Sequence, residues 1–438
     1  MHEIKKTAGI YTLGCKVNQY ESQAISEELS RFGFDIKSPS EICDVYIINT
    51  CTVTAESDRK ARQFIRRAIG KNPRAYVLVT GCMAQTSAEA VSGIEGVDAV
   101  VGNTDKLSVA AIADRLFTSG QKNGTAEIFV SDIDNAPFEK MTITDFERTR
   151  AYVKIEDGCE SRCTYCIIPA ARGRIRSKPA DEVIAEVTSL TQRGCREVVL
   201  TGIETASYGK DLDGVDLAEL LRRVDMIPNI GRVRLGSLDP SLIKPDFAKK
   251  IADIRCLAPH FHLSLQSGSS RILALMKRKY NAQQAMRAME ILREHLPEVK
   301  FTTDIIVGFP QETEEDFLET AEFVKKADFL KAHIFPYSKR AGTPAASMSG
   351  QIPKEEKSRR LHILSEIEAI SRKALLEKEI RERPVKTVLF ETYKDGRACG
   401  HTADFIEVSV PSPRPLHAIF ADVRLISTDG NIVFGELY

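Results

Sequence analysis

The sequence contains no run approaching the roughly 20 consecutive apolar residues of a membrane-spanning helix, so nothing in it reads as a bilayer span. Its opening, MHEIKKTAGIYTLG, lacks the apolar stretch and small-residue cleavage site of a secretory signal. The expectation is therefore a soluble, cytoplasmic chain with no membrane partner. Neither charge is in excess: 61 basic residues balance 61 acidic ones, which removes any global electrostatic footprint of a nucleic-acid binder. Internal repeats and low-complexity tracts are missing too, which sets aside solenoids and disordered arrays. No Ser, His and Asp set points to nucleophilic hydrolysis.

What is present is the material of a globular protein. A chain of 438 residues suffices for two to four domains, and 43% hydrophobic residues can build their cores. Ten cysteines in a reducing compartment read as metal ligands, catalysts or core filler rather than disulfides. Basic runs are local, at RGRIRSK (172–178), DRKARQFIRR (58–67) and KRK (277–279), and each alone also reads as a solvated face.

Three β-like runs, AGIYTL (8–13), DVYIIN (44–49) and AYVLVT (75–80), alternate with helix-period stretches at 18–34 and 55–70. Alternation of this kind implies βαβ crossovers and a parallel sheet. Each run is followed within two residues by a cysteine: Cys15, Cys51 and Cys82. Taken alone, Cys15 could be a buried thiol, a nucleophile or one ligand of a dispersed set. Ligand sites of open α/β sheets lie outside the carboxyl ends of the strands. Three cysteines at three such ends can converge although 35 and 30 residues separate them.

The polar, turn-rich stretch 121–147 reads as a linker after a first domain at 1–120. Six further βα units, at 151–156, 196–201, 232–237, 261–266, 300–309 and 331–338, predict a barrel short of the eight strands of a closed (β/α)₈ fold, within a core at 148–375. A charged helix-period stretch at 353–382 leads to short strands with turn signals, a small all-β barrel at 376–438. The predicted fold class is α/β: a parallel-sheet domain, a partial (β/α)₆ barrel and a small β-barrel.

The sharpest chemical signal is EDGCESRCTYCIIP, which spaces Cys159, Cys163 and Cys166 as C-x₃-C-x₂-C. A structural zinc site would be closed by a fourth Cys or His. The next cysteine is Cys195 and the next histidine His260. Three thiolates without a fourth partner suit a [4Fe–4S] cluster with one iron left open, against unusual zinc or plain core cysteines.

This motif after the first strand of a six-unit barrel resembles the radical S-adenosylmethionine (SAM) superfamily. There the open iron chelates SAM, whose reductive cleavage yields a 5′-deoxyadenosyl radical, and Tyr165 matches the aromatic position before the last cysteine. The order of cysteine-bearing α/β domain, radical SAM barrel and β-barrel resembles the methylthiotransferases over essentially the whole chain. Matching stretches include NTCTVT (49–54), TGCMAQ (80–85), LQSGS (265–269), MKRKY (276–280) and TDIIVGFPQETEEDF (303–317).

The resemblance implies that Cys15, Cys51 and Cys82 hold a second [4Fe–4S] cluster, at which the transferred sulfur is attached. It implies two SAM molecules per turnover, an electron donor, a sulfur source, and a C-terminal RNA-binding TRAM domain. TLGCKVNQYES resembles the branch acting on N6-threonylcarbamoyladenosine beside the tRNA anticodon, at position 37. The isopentenyladenosine branch reads closer to YGCQMN and the ribosomal-protein branch closer to LGCPKN. Those two activities, and a non-catalytic metal-cluster RNA-binding protein, are the alternatives.

Further candidates are positional. Gly202, in TGIETASYG (201–209), occupies the place of a segment that holds the methionyl amine. Ser237, Gln266 and Asp304, at or near strand ends, are candidates to meet SAM, and Gly308 to permit close backbone approach. Arg172, Arg174 and Arg176 are candidate phosphate contacts for the anticodon stem-loop. Cys43, Cys195, Cys256 and Cys399 read as core filler. Residues 381–438 carry seven Lys and Arg against eight Asp and Glu, so charge does not mark that segment as an RNA binder. Anaerobic reconstitution is expected to load about eight irons and eight sulfides per chain; zinc alone, measured by elemental analysis, would contradict both enzymatic readings.

Overall fold

A computed structural model describes residues 6–122, 124–146 and 149–438. The expected first domain, linker and core therefore include a few positions, 1–5, 123, 147 and 148, outside the described residues. The first domain is a parallel sheet of β1 (Thr7–Thr12), β2 (Asp35–Lys37), β3 (Val45–Thr50), β4 (Tyr76–Gly81), β5 (Ala99–Val101) and β6 (Glu127–Phe129), in the order β2-β1-β3-β4-β5-β6. β3 and β4 are buried at every residue, as central parallel strands covered on both faces must be. The chain leaves β1 outward to β2 and returns to β3 on the other side. That reversal puts the carboxyl ends of β1 and β3, and with them Cys15 and Cys51, at the switch point where α/β sheets hold ligands. Helix α1 (Lys16–Arg31) follows β1, α2 (Ala55–Lys71) follows β3, and the short α3 (Cys82–Thr86) follows β4.

β6 lies inside the stretch read as a linker. Its three residues pair with β5, from Ala99–Glu127 to Val101–Phe129. A three-residue edge strand carries no hydrophobic period, which is why the sequence reads as loop there.

The central unit contains β7 (Arg150–Lys154), β8 (Glu156–Asp157), β9 (Arg176–Ser177), β10 (Glu197–Thr201), β11 (Arg232–Leu235), β12 (His260–Gln266), β13 (Lys300–Val307) and β14 (Phe329–Pro336). Six parallel strands form two arcs, β11-β10-β7 and β12-β13-β14, joined by the bridges Val233–Leu257 and Leu238–Leu263. This is the partial barrel the sequence predicts, with β7 and β14 left unpaired to each other. β8 and β9 pair antiparallel and clip the base of the cysteine loop. Helix α1 packs on β7, and its Tyr20 and Ala24 belong to the barrel's own core cluster. The two units thus share a core rather than merely touching.

The 29-residue helix Lys354–Glu382 packs along β14 and β18 and runs straight through the boundary expected at 375–376. Beyond it, β15 (Val385–Lys394), β16 (Arg397–Thr402), β17 (Glu407–Pro411), β18 (Phe420–Thr428) and β19 (Val433–Leu437) close a barrel in the order β15-β16-β17-β19-β18. Closure removes free edges, so a small domain of modest core is sufficient.

This small barrel plugs the amino-terminal end of the large one. Phe405, in the turn after β16 at φ 74°, stacks on His260 and on His401 with ring centroids 4.6 Å apart in each pair. The Arg234 guanidinium lies 4.7 Å from the Phe405 ring centroid and donates hydrogen bonds to the Thr402 and Ala403 carbonyls at 2.7 and 2.8 Å. Glu197 of β10 in turn accepts from Arg234 at 2.9 Å, so the charge is neutralised where it is buried. The Phe405→Ala variant is expected to lose about 2 kcal/mol of stability, the worth of one buried aromatic side chain. Denaturant titration checks this, with faster proteolysis at 382–385 as the accompanying sign.

Candidate functional site

The ends of β1, β3 and β4 are pressed together by two glycines. At Gly14, φ is 101° and an added Cβ would fall 2.6 Å from Cys51 Cβ and 2.9 Å from its Sγ. At Gly81, φ is 97° and a Cβ would fall 2.4 Å from the Thr50 carbonyl oxygen. Only glycine permits both the left-handed backbone and the approach. Cys15, the residue preceding α1, Cys51 and Cys82 consequently form one electrostatic group. Burial, then the neighbouring Cys82, pushes the Cys51 thiol up to about 11. Cys15 is exposed at its surface, and desolvation of its thiol raises it against the pull of Arg172.

The second set lies on the loop between β8 and the helix Ile168–Arg172. Cys159 N–H donates to Gly173 O at 3.0 Å and Cys166 N–H to Cys163 O at 3.1 Å, which curls the loop. Gly158 has φ 89°, and a Cβ there would lie 1.9 Å from Arg174 O. Arg278 Nη1 sits 3.3 Å from Cys163 Sγ while its Nη2 bonds Asp239 at 2.8 Å. Glu204 accepts from Cys159 Sγ at 3.1 Å and pairs with Lys279 at 3.3 Å. Burial pushes Cys166 up to about 11, and the charges of Cys163 and Cys82 add to that, so the two cysteine sets sense each other across the domain junction. Tyr165 packs against the side cluster of Ile272, Met276, Phe309 and Tyr337.

The junction is held by charge. Arg172 is fully buried and donates to Cys82 Sγ at 3.3 Å, Asn18 Oδ1 at 2.7 Å, and Glu21 and Asp157. Lys154 reaches Glu21 at 3.1 Å and Asp157 at 3.3 Å, and Lys106 pairs with Glu21. Burial works against the Glu21 carboxylate, yet Arg172, Lys106 and Lys154 hold it well below the usual carboxylate range. Three cations face two carboxylates, and the Arg172 end of this net-positive network reaches Cys82.

This corrects the expected phosphate contacts. Arg172 has no solvent-facing surface, and Arg176 is buried against Ile133 O at 3.2 Å. Arg174 alone of the three is exposed. The basic alternation at 172–176 crosses a helix end and Gly173 at φ 68°, so the three side chains do not share a face.

Gly202 stands against Glu156: a Cβ would lie 2.5 Å from its Oε2. Glu156 is fully buried, its Oε2 accepts from Glu204 N–H at 2.8 Å, and its Oε1 has no partner among the described residues. Burial pushes its carboxyl well above the usual range. Ser237 and Gln266 stand at the carboxyl ends of β11 and β12, Gln266 at φ 73° where the β12–β13 register shifts. Asp304 lies 3.3 Å from His262 Nε2. Gly308, at φ 69°, allows a close approach to Lys357 of the long helix, with a Cβ 2.4 Å from its Cγ. Sequence reasoning missed Glu204 and Arg278, although both lie in quoted stretches, TGIETASYG and MKRKY. It also missed Glu21, Lys106 and Lys154, which carry no local pattern.

Among the described residues, no three His, Cys, Asp or Glu side chains converge on one point as a single metal ion requires. Cys159, Cys163 and Cys166, with no fourth Cys or His near them in sequence, would suit a cluster with one open iron better than a structural zinc, which takes four protein ligands.

A family model for the radical SAM superfamily matches residues 153–324, and one described as uncharacterized protein family UPF0004 matches 7–102. Two relatives named threonylcarbamoyladenosine tRNA methylthiotransferase MtaB are similar along most of the chain. The Bacillus subtilis protein is 39% identical over 92% of this chain and 90% of its own, the Thermotoga maritima protein 40% over 82% and 81%. A tRNA-2-methylthio-N(6)-dimethylallyladenosine synthase of Acetivibrio thermocellus is 36% identical over 83% of this chain and 76% of its own. In fold, the chain is similar to the radical SAM methyltransferase TsrM of Kitasatospora setae, with TM-score 0.56, 15% identity, and 78% and 77% of the two chains covered. The chain belongs to the radical SAM methylthiotransferase family. SAM and two [4Fe–4S] clusters are the cofactors of such a protein.

Replacing Arg172 by Met is expected to cost about 3–5 kcal/mol, because Glu21 and Asp157 then stay buried without their main partner. Thermal unfolding of the variant checks this, with reduced iron loading at the first cysteine set.

Proposed function

We propose that this chain converts N6-threonylcarbamoyladenosine at tRNA position 37 into its 2-methylthio derivative, replacing hydrogen at adenine carbon 2. The observation that carries the reading is the meeting of two thiol sets across one charged junction, in a chain 35–40% identical to five proteins named as this enzyme. In this reading Cys159, Cys163 and Cys166 hold the cluster that binds SAM, and Cys15, Cys51 and Cys82 hold the auxiliary one. When bound, these groups supply the adenosyl radical and the methylated sulfur.

The chain's own residues bind and orient. Glu204, beside Cys159, receives the methionyl ammonium, and Ser237 and Gln266, at strand ends, with Asp304 within β13, meet the nucleoside of SAM. Arg174 and Arg162, on the rim of the surface hollow beside Cys159, contact phosphates of the anticodon stem-loop. The target base lies in a single-stranded loop, where extrusion into a pocket costs little. The first domain, which extends through β6, carries the auxiliary cluster, the core up to the long helix the radical chemistry, and the C-terminal barrel from Val385 adds RNA contacts through shape, as its charge is balanced. An electron donor and a sulfur source complete the reaction, and a tRNA substrate puts the work in the cytoplasm.

Nucleoside mass spectrometry of tRNA from cells lacking the gene is expected to show loss of the 2-methylthio form and accumulation of N6-threonylcarbamoyladenosine; unchanged nucleosides contradict the proposal. Purified Cys159→Ala is expected to lose reductive SAM cleavage and keep about half the iron. Cys15→Ala is expected to keep cleavage and lose sulfur transfer.

A further inference from the structure

A cavity of 300 Å³ runs through the large barrel from Lys16, the residue after Cys15, to the C-terminal barrel's plug. Its wall is cationic: Lys16, Arg150, Arg234, Lys331 and Arg372 line it, and Glu407 is the one carboxylate among the lining residues. Three of those cations already sit in ion pairs, although Arg150 and Arg234 share the one carboxylate of Glu197. Arg150 pairs with Glu197 and Glu391, Arg234 with Glu197, and Arg372 with Glu368 at 3.5 Å. Lys16 and Lys331 form no ion pair among the described residues. They come from opposite edges of the open barrel, α1 packed on β7 and β14.

The two ammonium groups face the same space. Burial lowers the pKa of His333, Asp304 opposes that, and Lys331, His262 and Lys16 reinforce it, so all these groups surround one imidazole. A wall with five cations, two of them in no ion pair among the described residues, outweighs the carboxylates of Glu407 and the nearby Asp304 and is complementary to a small anion carried by whatever enters. A tRNA phosphate would sit on the outer surface, where Arg174 and Arg162 already stand. The relatives act, by name, on two N6-modified adenosines: the dimethylallyl group of one is apolar, and the threonylcarbamoyl group of the other ends in a carboxylate.

We propose that Lys331 and Lys16 bind the carboxylate of the threonylcarbamoyl group and so select this substrate over an adenosine with an apolar N6 substituent. The inference rests on the activity proposed above. Lys16 and Lys331 are solvent-exposed in the free protein; an apolar substituent covering them would remove water from both ammonium groups and give no partner back, and that penalty is the discrimination.

The test is equilibrium binding of anticodon stem-loop RNAs to the full-length, cluster-loaded protein, read by fluorescence anisotropy. Four RNAs are compared, with position 37 as adenosine, N6-threonylcarbamoyladenosine, its carboxamide analogue, or N6-isopentenyladenosine. The unsubstituted protein is expected to bind the carboxylate RNA roughly tenfold or more tighter than the carboxamide RNA, the factor of one charge-assisted hydrogen bond. Lys331→Met is expected to bring those two affinities together while leaving the adenosine RNA unchanged, and Lys16→Met, with iron content verified, to do the same in part. Equal weakening of all four RNAs would assign the lysines to phosphates and overturn the inference. Retention of the full carboxylate preference by both variants would overturn it too. A parent protein that favours the N6-threonylcarbamoyl RNA over the isopentenyl RNA yet treats acid and amide alike defeats this inference alone. A parent protein with no such preference defeats the proposed activity itself.

Discussion

Everything at the centre of this molecule depends on one buried guanidinium. Arg172 leaves the cysteine loop of the large barrel and ends among Asn18 and Glu21 of the first domain, 3.3 Å from Cys82. A guanidinium can serve four partners at once because its donors are fixed in a planar fork, and a lysine at that place could not. The energetic logic is that of a closed network. Each charge is costly to bury alone, but Glu21, Asp157, Lys154, Lys106 and Arg172 neutralise one another, with one positive charge left for the thiols. The same contact ties two domains together and sets the charge beside Cys15 and Cys82, while Arg278 and Glu204 do so at the second set.

A second junction works differently. The C-terminal barrel is fastened by an aromatic ring between two imidazoles and by guanidinium bonds to loop carbonyls, at the end of the large barrel opposite the cysteines. Between the two junctions lies the cationic cavity. The open arc of six strands is thus closed from the first domain's side by α1 and from below by Phe405, which leaves a lined chamber beneath the cysteine sets. A bulky modified base can be admitted without a lid, because the surrounding domains supply the walls.

Much of this was legible in the sequence. Cysteines placed just after three β-like runs do follow the carboxyl ends of β1, β3 and β4, and the spacing at 159–166 does put the second set on a single loop. Strand positions agreed to within a residue or two, since β3 and β4 are continuous apolar runs. What escaped was non-local. Arg172 looked like the start of a basic surface stripe because its partners, Glu21 and Asp157, lie far away or carry no pattern. Phe405, likewise, acquires meaning only when the third unit docks. Three-residue strands such as β6 offered too little periodicity to register.

The central claim is that two separate cysteine sets face each other across the Arg172 junction. Electron paramagnetic resonance of the reduced, fully loaded protein tests it most directly. The account predicts a signal broadened by magnetic interaction between two nearby clusters, which resolves to a simple spectrum when either cysteine set is replaced by alanines. A spectrum equal to the sum of the two single-cluster spectra would contradict it.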